Sequence, residues 1–155
     1  MNDPNINVKT SHAPVVVEQT FNTSNEQVWA AITEVDQMTQ WFFENIPAFK
    51  PEVGFETQFV VKNEDRAFTH LWKITEVISN QKITYNWRYE EYSGDSDVTF
   101  ELVEEEGQTR LKLTHTVTDS FPQDIPEFER KSGVEGWGYF INSRLKEYLL
   151  SQTKI

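Results

Sequence analysis

Hydrophobic and polar residues alternate with a period of two through the middle of the chain. In residues 82–91, Ile83, Tyr85, Trp87 and Tyr89 fall on one side, with mostly polar residues between them. Similar alternation, of varying regularity, marks four other segments: residues 55–62, 67–78, 96–104 and 108–118. Such alternation is typical of antiparallel strands with one buried and one solvated face. The pattern therefore predicts a sheet that is covered on one side only.

Short turn sequences separate several of these segments: Asn80-Gln81, Ser93-Gly94-Asp95 and Glu106-Gly107. Turns of this length join strands that are neighbours in an antiparallel sheet. No helix-length segment lies between the strands, which excludes a doubly wound parallel sheet. A β-branched run at residues 15–21 adds a first strand, so we expect about six strands.

Two short helices are predicted after this first strand. Ser24 and Gln27 stand three residues apart in a capping-box pattern, ahead of apolar residues at helical spacing. A second helix is predicted from about Gln37, with Asp36 as its cap.

The clearest helical pattern predicts a helix of about residues 134–151. Ser132 and Glu135 form a second capping-box pattern at its start. Large apolar residues then recur within one stripe: Val134, Trp137, Ile141, Leu145, Tyr148 and Leu149. We expect this stripe to cover the concave face of the sheet, which gives an α+β fold.

Size and charge narrow the classes of function. We assign one domain to residues 15–155 and a flexible leader to residues 1–14. With 14 basic and 25 acidic residues, the net charge of -11 disfavours nucleic acids and anionic membranes as partners. No segment reaches the roughly 20 apolar residues of a membrane span, and the leader lacks a signal-peptide core. The chain contains no cysteine, and we expect a soluble, cytoplasmic protein.

Aromatic residues make up 14% of the chain, although its mean hydropathy is only -0.60. The apolar surface is therefore concentrated in a few large side chains. These residues either fill a core or line an internal cavity, because pockets are lined by the residue types that also fill cores.

Four segments carry a resemblance to a known superfamily: SNEQVWAAITEVDQMTQWF, KITYNWRYE, SDVTFELVEEEGQTRLKLTHT and GVEGWGYFINSRLKEYL. They resemble the START-like, Bet v 1-like superfamily. More narrowly, they resemble its branch that is similar to the C-terminal domain of the activator of Hsp90 ATPase. The resemblance implies a helix-grip fold, with a cavity between the sheet and the long C-terminal helix. Members of the superfamily include lipid carriers, hormone binders, polyketide cyclases, stress proteins and Hsp90 co-chaperones. The chain has no counterpart of the N-terminal Hsp90-binding domain of the two-domain co-chaperones, so we expect it not to stimulate Hsp90.

An open cavity of this kind predicts a set of ligand-binding residues: Tyr85, Trp87, Tyr89, Phe100, Leu113, His115, Trp137 and Ile141. Trp87 and Trp137 are expected to face each other across the cavity. The tyrosine hydroxyls and His115 would be the few polar groups that orient a ligand. If the cavity is filled, the same residues form the core.

His115 shares the parity of Leu111 and Leu113 and is expected to point toward the long helix. It is either an acid–base group or a hydrogen-bonded interior histidine. His70 lies in a strand of ambiguous parity, and His12 lies in the leader.

No metal-ligand spacing, P-loop or dinucleotide motif is present, so we predict no metal and no cofactor. Glu104-Glu105-Glu106 is interpreted as a solvated hairpin tip. Three glycines near the last helix allow close packing or leave room for a ligand at the cavity mouth: Gly133, Gly136 and Gly138.

Three hypotheses follow, in order of preference. The first is the binding of a small apolar or aromatic molecule in the cavity. The second is a co-chaperone or stress-response interaction domain whose acidic surface contacts a chaperone. The third is an enzyme of the cyclase or dehydratase kind that uses His115 and a tyrosine.

Overall fold

The computed structural model describes residues 13–153 of the chain, so most of the predicted leader, including His12, lies outside the described residues. Six strands follow in chain order: β1 Val15–Phe21, β2 Glu56–Asn63, β3 Arg66–Ile78, β4 Lys82–Tyr89, β5 Asp95–Glu105 and β6 Gln108–Asp119. They form one sheet in the order β1-β6-β5-β4-β3-β2, and every neighbouring pair is antiparallel. The predicted α+β architecture is confirmed.

The sequence pattern did not predict which face of strand β3 is buried. Its register with β4 pairs Trp72 with Trp87, and the pairing slips by one residue at a bulge between Ile74 and Glu76. His70, Trp72 and Ile74 are buried on the same face. A bulge adds a residue to one strand and reverses the alternation beyond it, which explains why Val77 packs against the core while Ile78 is exposed. Leu71, before the bulge, is a half-buried apolar residue of the other parity.

The predicted hairpin between β5 and β6 closes with a two-residue loop. Glu105 pairs with Gln108, and the two residues between them, Glu106 and Gly107, have φ values of 52° and 82°. Positive φ at both central positions matches the right-handed twist of the flanking strands. The turn therefore aligns the two strands that carry Phe100 and His115.

The two short helices are α1, Asn25–Thr33, and α2, Val35–Trp41. Ser24 caps α1 as predicted, because its hydroxyl accepts a 3.3 Å hydrogen bond from the backbone N–H of Gln27. The predicted cap at Asp36 is wrong: α2 begins two residues earlier than predicted, its N-cap position is Glu34, and no side chain caps it.

The C-terminal helix is continuous but changes its pitch. It consists of α3, Arg130–Gly138, a π-helical segment, Tyr139–Leu145, and α4, Lys146–Thr153. It starts earlier than predicted, and the capping box at Ser132 is wrong, because the Ser132 hydroxyl instead donates to the carbonyl of Pro126. Backbone geometry around Pro126, which forms a 3₁₀ turn just before the helix, determined the start.

The helix packs on the concave face of the sheet through the predicted stripe. Trp137, Ile141, Leu145 and Leu149 are buried, whereas Val134 is 41% exposed. Within residues 13–153, no helix is long and apolar enough to cross a membrane.

Candidate functional site

A pocket of about 190 Å³ opens where the first turns of α3 meet the ends of β3, β4 and β6. Its walls are mainly aromatic and imidazole rings: Phe43, His70, Trp87, Tyr89, His115, Phe121, Phe128, Trp137 and Phe140. Polar side chains lie around its rim, among them Gln123, Glu127 and Arg130. The pocket is therefore a ring-lined recess with a polar border.

The structure divides the predicted ligand-binding residues into two groups. Four line the pocket: Trp87, Tyr89, His115 and Trp137. The other four lie in the filled part of the core, with exposures of 1% or less: Tyr85, Phe100, Leu113 and Ile141. The division follows position along the elements, because the second group lies farther from the end of the sheet at which the pocket opens.

Sequence reasoning missed several walls of the pocket. Phe43 follows helix α2, Phe121 and Phe128 come from the connection between β6 and α3, and Phe140 lies in the π-helical segment. None of these residues belongs to the strand alternation that defined the predicted site. Their aromatic character alone was the available signal.

Trp87 and Trp137 do not face each other across open space. Their ring centroids are 5.5 Å apart and the rings are nearly perpendicular, at 64°. An edge-to-face pair at this distance is in contact. The pocket lies beside the two indoles, and no ligand fits between them without separating the helix from the sheet.

His115 joins the helix to the sheet through a chain of hydrogen bonds. The indole N–H of Trp137 donates to His115 Nδ1 at 3.0 Å. Since an indole can only donate, Nδ1 carries the lone pair and Nε2 carries the proton. His115 Nε2 then donates to the hydroxyl of Ser96 at 2.9 Å, and that hydroxyl donates to the Trp87 carbonyl at 2.7 Å. Both imidazole nitrogens are engaged, which fits the interior-histidine interpretation.

His70 has one engaged nitrogen and one free nitrogen. Its Nδ1 lies 3.0 Å from the carbonyl oxygen of Phe68, so Nδ1 carries the proton and donates it. Within residues 13–153, Nε2 has no hydrogen-bonding partner. The residue is only 5% exposed and lines the pocket, and burial lowers its pKa to about 4. At neutral pH it therefore presents a lone pair, not a positive charge.

Two tyrosines on the same face of β4 differ in their partners. The Tyr89 hydroxyl accepts a 2.7 Å hydrogen bond from the indole N–H of Trp87, and burial raises its pKa to about 12. The Tyr85 hydroxyl is fully enclosed and, within the described part of the chain, has no partner, like Nε1 of Trp72. Burial raises the pKa of Tyr85 well above its ordinary value.

The connection between β6 and α3 closes one side of the pocket. Arg66 donates from Nε and Nη2 to the two carboxylate oxygens of Glu127, at 2.8 and 2.9 Å, and Asn63 donates to the same carboxylate. These bonds lower the pKa of Glu127. Phe121 packs directly on Gly94, where a Cβ would lie 2.3 Å from the ring. The wall is thus attached to β2, β3 and the β4–β5 turn.

Two of the three helix glycines line the pocket. A Cβ at Gly133 would make ordinary contact with Val15 at 3.6 Å, and a Cβ at Gly136 would meet no atom within 4 Å. Gly136 is therefore not needed for close packing, and its missing side chain leaves pocket space open. Gly138 lies outside the pocket lining.

Among residues 13–153, no three His, Asp or Glu side chains are grouped so that they could bind a metal ion. The polar groups that the pocket offers a ligand are neutral hydrogen-bonding groups and the charged groups of its rim.

Comparison with known proteins shows a match to one protein family. A model of the family described as Activator of Hsp90 ATPase homolog 1-like protein matches residues 22–150 of the chain. No curated protein sequence matches it.

Several solved structures are similar to this one at low sequence identity. The Mll3558 protein from Rhizobium loti has a TM-score of 0.75 at 18% identity, over 88% of this chain and 96% of that chain. The Aha1 dimer from Colwellia psychrerythraea has a TM-score of 0.66 at 20% identity, over 88% and 96%. DynU16, from the dynemicin biosynthetic locus, has a TM-score of 0.71 at 21% identity, over 90% of this chain and 48% of its own. At these identities the likeness shows a shared fold.

We expect the histidines to make stability fall on mild acidification. Burial lowers the pKa values of His70 and His115 from 6.5 to about 4. Between about pH 6.5 and 4 the unfolded chain therefore binds protons that the folded chain does not. Each histidine should lower the free energy of unfolding by about 1.4 kcal/mol per pH unit in that window. Urea denaturation at a series of pH values measures this slope.

His115→Gln is the matched variant, because the amide oxygen can accept from Trp137 and the amide N–H can donate to Ser96. It should fold and show a shallower pH dependence than the wild type. Equal slopes for the two proteins would contradict the assignment of a neutral, doubly bonded His115.

The two β4 tyrosines should respond in opposite ways to loss of the hydroxyl. Tyr85→Phe removes a buried hydroxyl without a partner and should leave stability unchanged or raise it. Tyr89→Phe leaves the N–H of Trp87 without its acceptor and should cost about 1–3 kcal/mol. Urea denaturation of both variants tests this, and an equal loss in Tyr85→Phe would show that its hydroxyl has a partner such as ordered water.

Proposed function

The chain belongs to the family of Activator of Hsp90 ATPase homolog 1-like proteins, and from this we propose that it binds a small aromatic molecule in the pocket beside Trp137. The observation that carries the proposal is an open pocket of about 190 Å³ that is lined by aromatic rings and lies at one end of the buried core. A cytoplasmic location, predicted from the sequence, is part of the same proposal.

The volume of the pocket limits the size of its ligand. An apolar cavity of about 150 Å³ is large enough to bind benzene, whereas pockets for drug-sized ligands measure about 300–1,000 Å³. At about 190 Å³ this pocket holds one aromatic ring with a short substituent. Larger flavonoid-like molecules would have to displace the wall that contains Phe121 and Phe128.

The lining supports an aromatic rather than an aliphatic ligand. The ring of Phe43 lies 6.2 Å from that of Trp87 and 5.1 Å from that of Phe140, measured between centroids. The ring of Phe140 lies 6.2 Å from that of Trp137. Offset and edge-to-face contacts with such rings stabilise an aromatic guest by about 0.5–1.5 kcal/mol per pair beyond area burial.

Binding is better supported than catalysis by His115. A general base needs a nitrogen lone pair within hydrogen-bonding reach of the substrate. The lone pair of His115 accepts from Trp137, and its proton is donated to Ser96. A role in acid–base chemistry would require the helix-to-sheet connection to break in each turnover.

The binding proposal can be tested with a pocket-filling variant. Gly136→Leu places a side chain into open pocket space on a helix, where leucine is favoured over glycine by about 1 kcal/mol. We expect benzene, toluene and anisole to raise the Tm of the wild type and to shift the indole N–H resonances of Trp87 and Trp137. Ligand at a hundred times its Kd adds about 2.7 kcal/mol of stability.

Gly136→Leu should remain folded and lose these responses. Gly138→Leu, on the same helix but outside the pocket lining, is the control and should keep them. Saturable binding that is unchanged in Gly136→Leu would place the ligand elsewhere, and the absence of any response in the wild type would end the proposal.

A chaperone-linked role is the second candidate, supported by the family description and by a net charge of -11 available to contact a basic partner surface. The test is ATP turnover by Hsp90 from the same source as the chain is titrated in. Our expectation is unchanged turnover. Stimulation that saturates and persists in Gly136→Leu would establish a role that does not use the pocket.

A further inference from the structure

Among residues 13–153, no group donates a hydrogen bond to Nε2 of His70, which belongs to the lining of the pocket. His70 Nδ1 donates to Phe68, which leaves the lone pair on Nε2. Within the described part of the chain, Trp72 Nε1 and Tyr85 Oη are the fully enclosed side-chain polar atoms without partners, so Nε2 of His70 keeps access to the space that the residue lines. A ligand that displaces water from this nitrogen without supplying a donor leaves a buried acceptor unpaired, which costs free energy. A ligand with a suitably placed donor would recover that free energy.

A donor lies on the neighbouring strand. Tyr89 is paired with His70 between β4 and β3, and the two ring centroids are 4.9 Å apart. The Tyr89 oxygen already accepts from Trp87, so its own proton is available to donate. Burial raises its pKa to about 12, so the proton is retained at neutral pH.

An acceptor and a donor side by side match a group that both donates and accepts, and a hydroxyl does so from a single atom. A hydroxyl group both donates and accepts, whereas a carboxylate only accepts and an ether only accepts. We propose that His70 and Tyr89 select a neutral aromatic alcohol of the phenol class, whose hydroxyl donates to His70 Nε2 and accepts from the Tyr89 hydroxyl. This inference rests on the proposed function, because it assumes that the pocket binds a ligand.

The rings around this pair favour the same ligand. Phe59 stacks on His70 at 4.9 Å and 11°, and Phe43 lies 4.9 Å from it. The imidazole is therefore held in one orientation, with its free nitrogen presented from an apolar setting. A carboxylate placed there would meet a lone pair with no proton to share, and it would lose its hydration.

The experiment compares three ligands of similar size with the wild-type protein: phenol, anisole and toluene. A purely apolar pocket should rank them by hydrophobicity, with toluene tightest and phenol weakest, because transfer of a hydroxyl from water is unfavourable. Two hydrogen bonds to buried partners should reverse that order. We expect phenol to bind at least about tenfold more tightly than anisole or toluene in isothermal titration.

Two variants assign the effect to a residue. His70→Phe keeps a stacking ring but has no acceptor, and it should bind phenol and anisole equally. Tyr85→Phe removes a hydroxyl outside the pocket lining and should keep the preference for phenol. If His70→Phe fails to fold, the ranking of the three ligands by the wild type still decides the question.

The outcomes separate the two proposals. Preference for phenol, lost in His70→Phe, supports the selection of an aromatic alcohol. Saturable binding in which toluene or anisole equals or exceeds phenol overturns this inference and leaves the proposed function standing. Binding of none of the three ligands overturns both.

Discussion

The packing of Trp137 on the sheet is the contact on which the rest of the structure depends. Its indole meets rings from three strands, Trp87, Phe100 and His115, and its N–H donates to His115. Beyond Trp137 the helix contributes Ile141, Leu145 and Leu149 to the filled core, whereas the turns before Trp137, together with Phe140, line the pocket. One large side chain with a satisfied polar edge therefore separates the closed part of the domain from the open part.

The two interior histidines show how similar electrostatics can accompany different roles. Desolvation lowers the pKa of each to about 4, so both are neutral at physiological pH. His115 uses both nitrogens to connect helix and sheet, whereas His70 uses one and leaves the other facing the pocket. The hydrogen-bond partners, and not the pKa values, distinguish the structural histidine from the candidate ligand-binding one.

The family and the fold leave the ligand undetermined, because structures of 18–21% identity share the architecture and function depends on the side chains of a site. In this chain one wall of the pocket comes from the connection between β6 and α3, which lies outside the sheet. Ion pairing of Glu127 with Arg66 and packing of Phe121 on Gly94 hold the wall in place. Such connections between loops are where members of a shared fold can differ most.

The sequence by itself determined the strands, the hairpin pairing of β3 with β4, β4 with β5 and β5 with β6, and the covering helix, because alternation and helical periodicity are local consequences of backbone geometry. The place of β1 beside β6 came from the tertiary structure. That periodicity also placed Trp87, Tyr89, His115 and Trp137 on the faces that sheet and helix turn toward each other. Only the tertiary structure decided that Tyr85 and Phe100 lie in filled core, that His70 faces the pocket and that Phe121 and Phe128 form its wall. These features depend on a bulge, on loop paths and on which space the large rings occupy. None of these features produces a periodic hydrophobic pattern in the sequence, because each results from contacts between residues far apart in the chain.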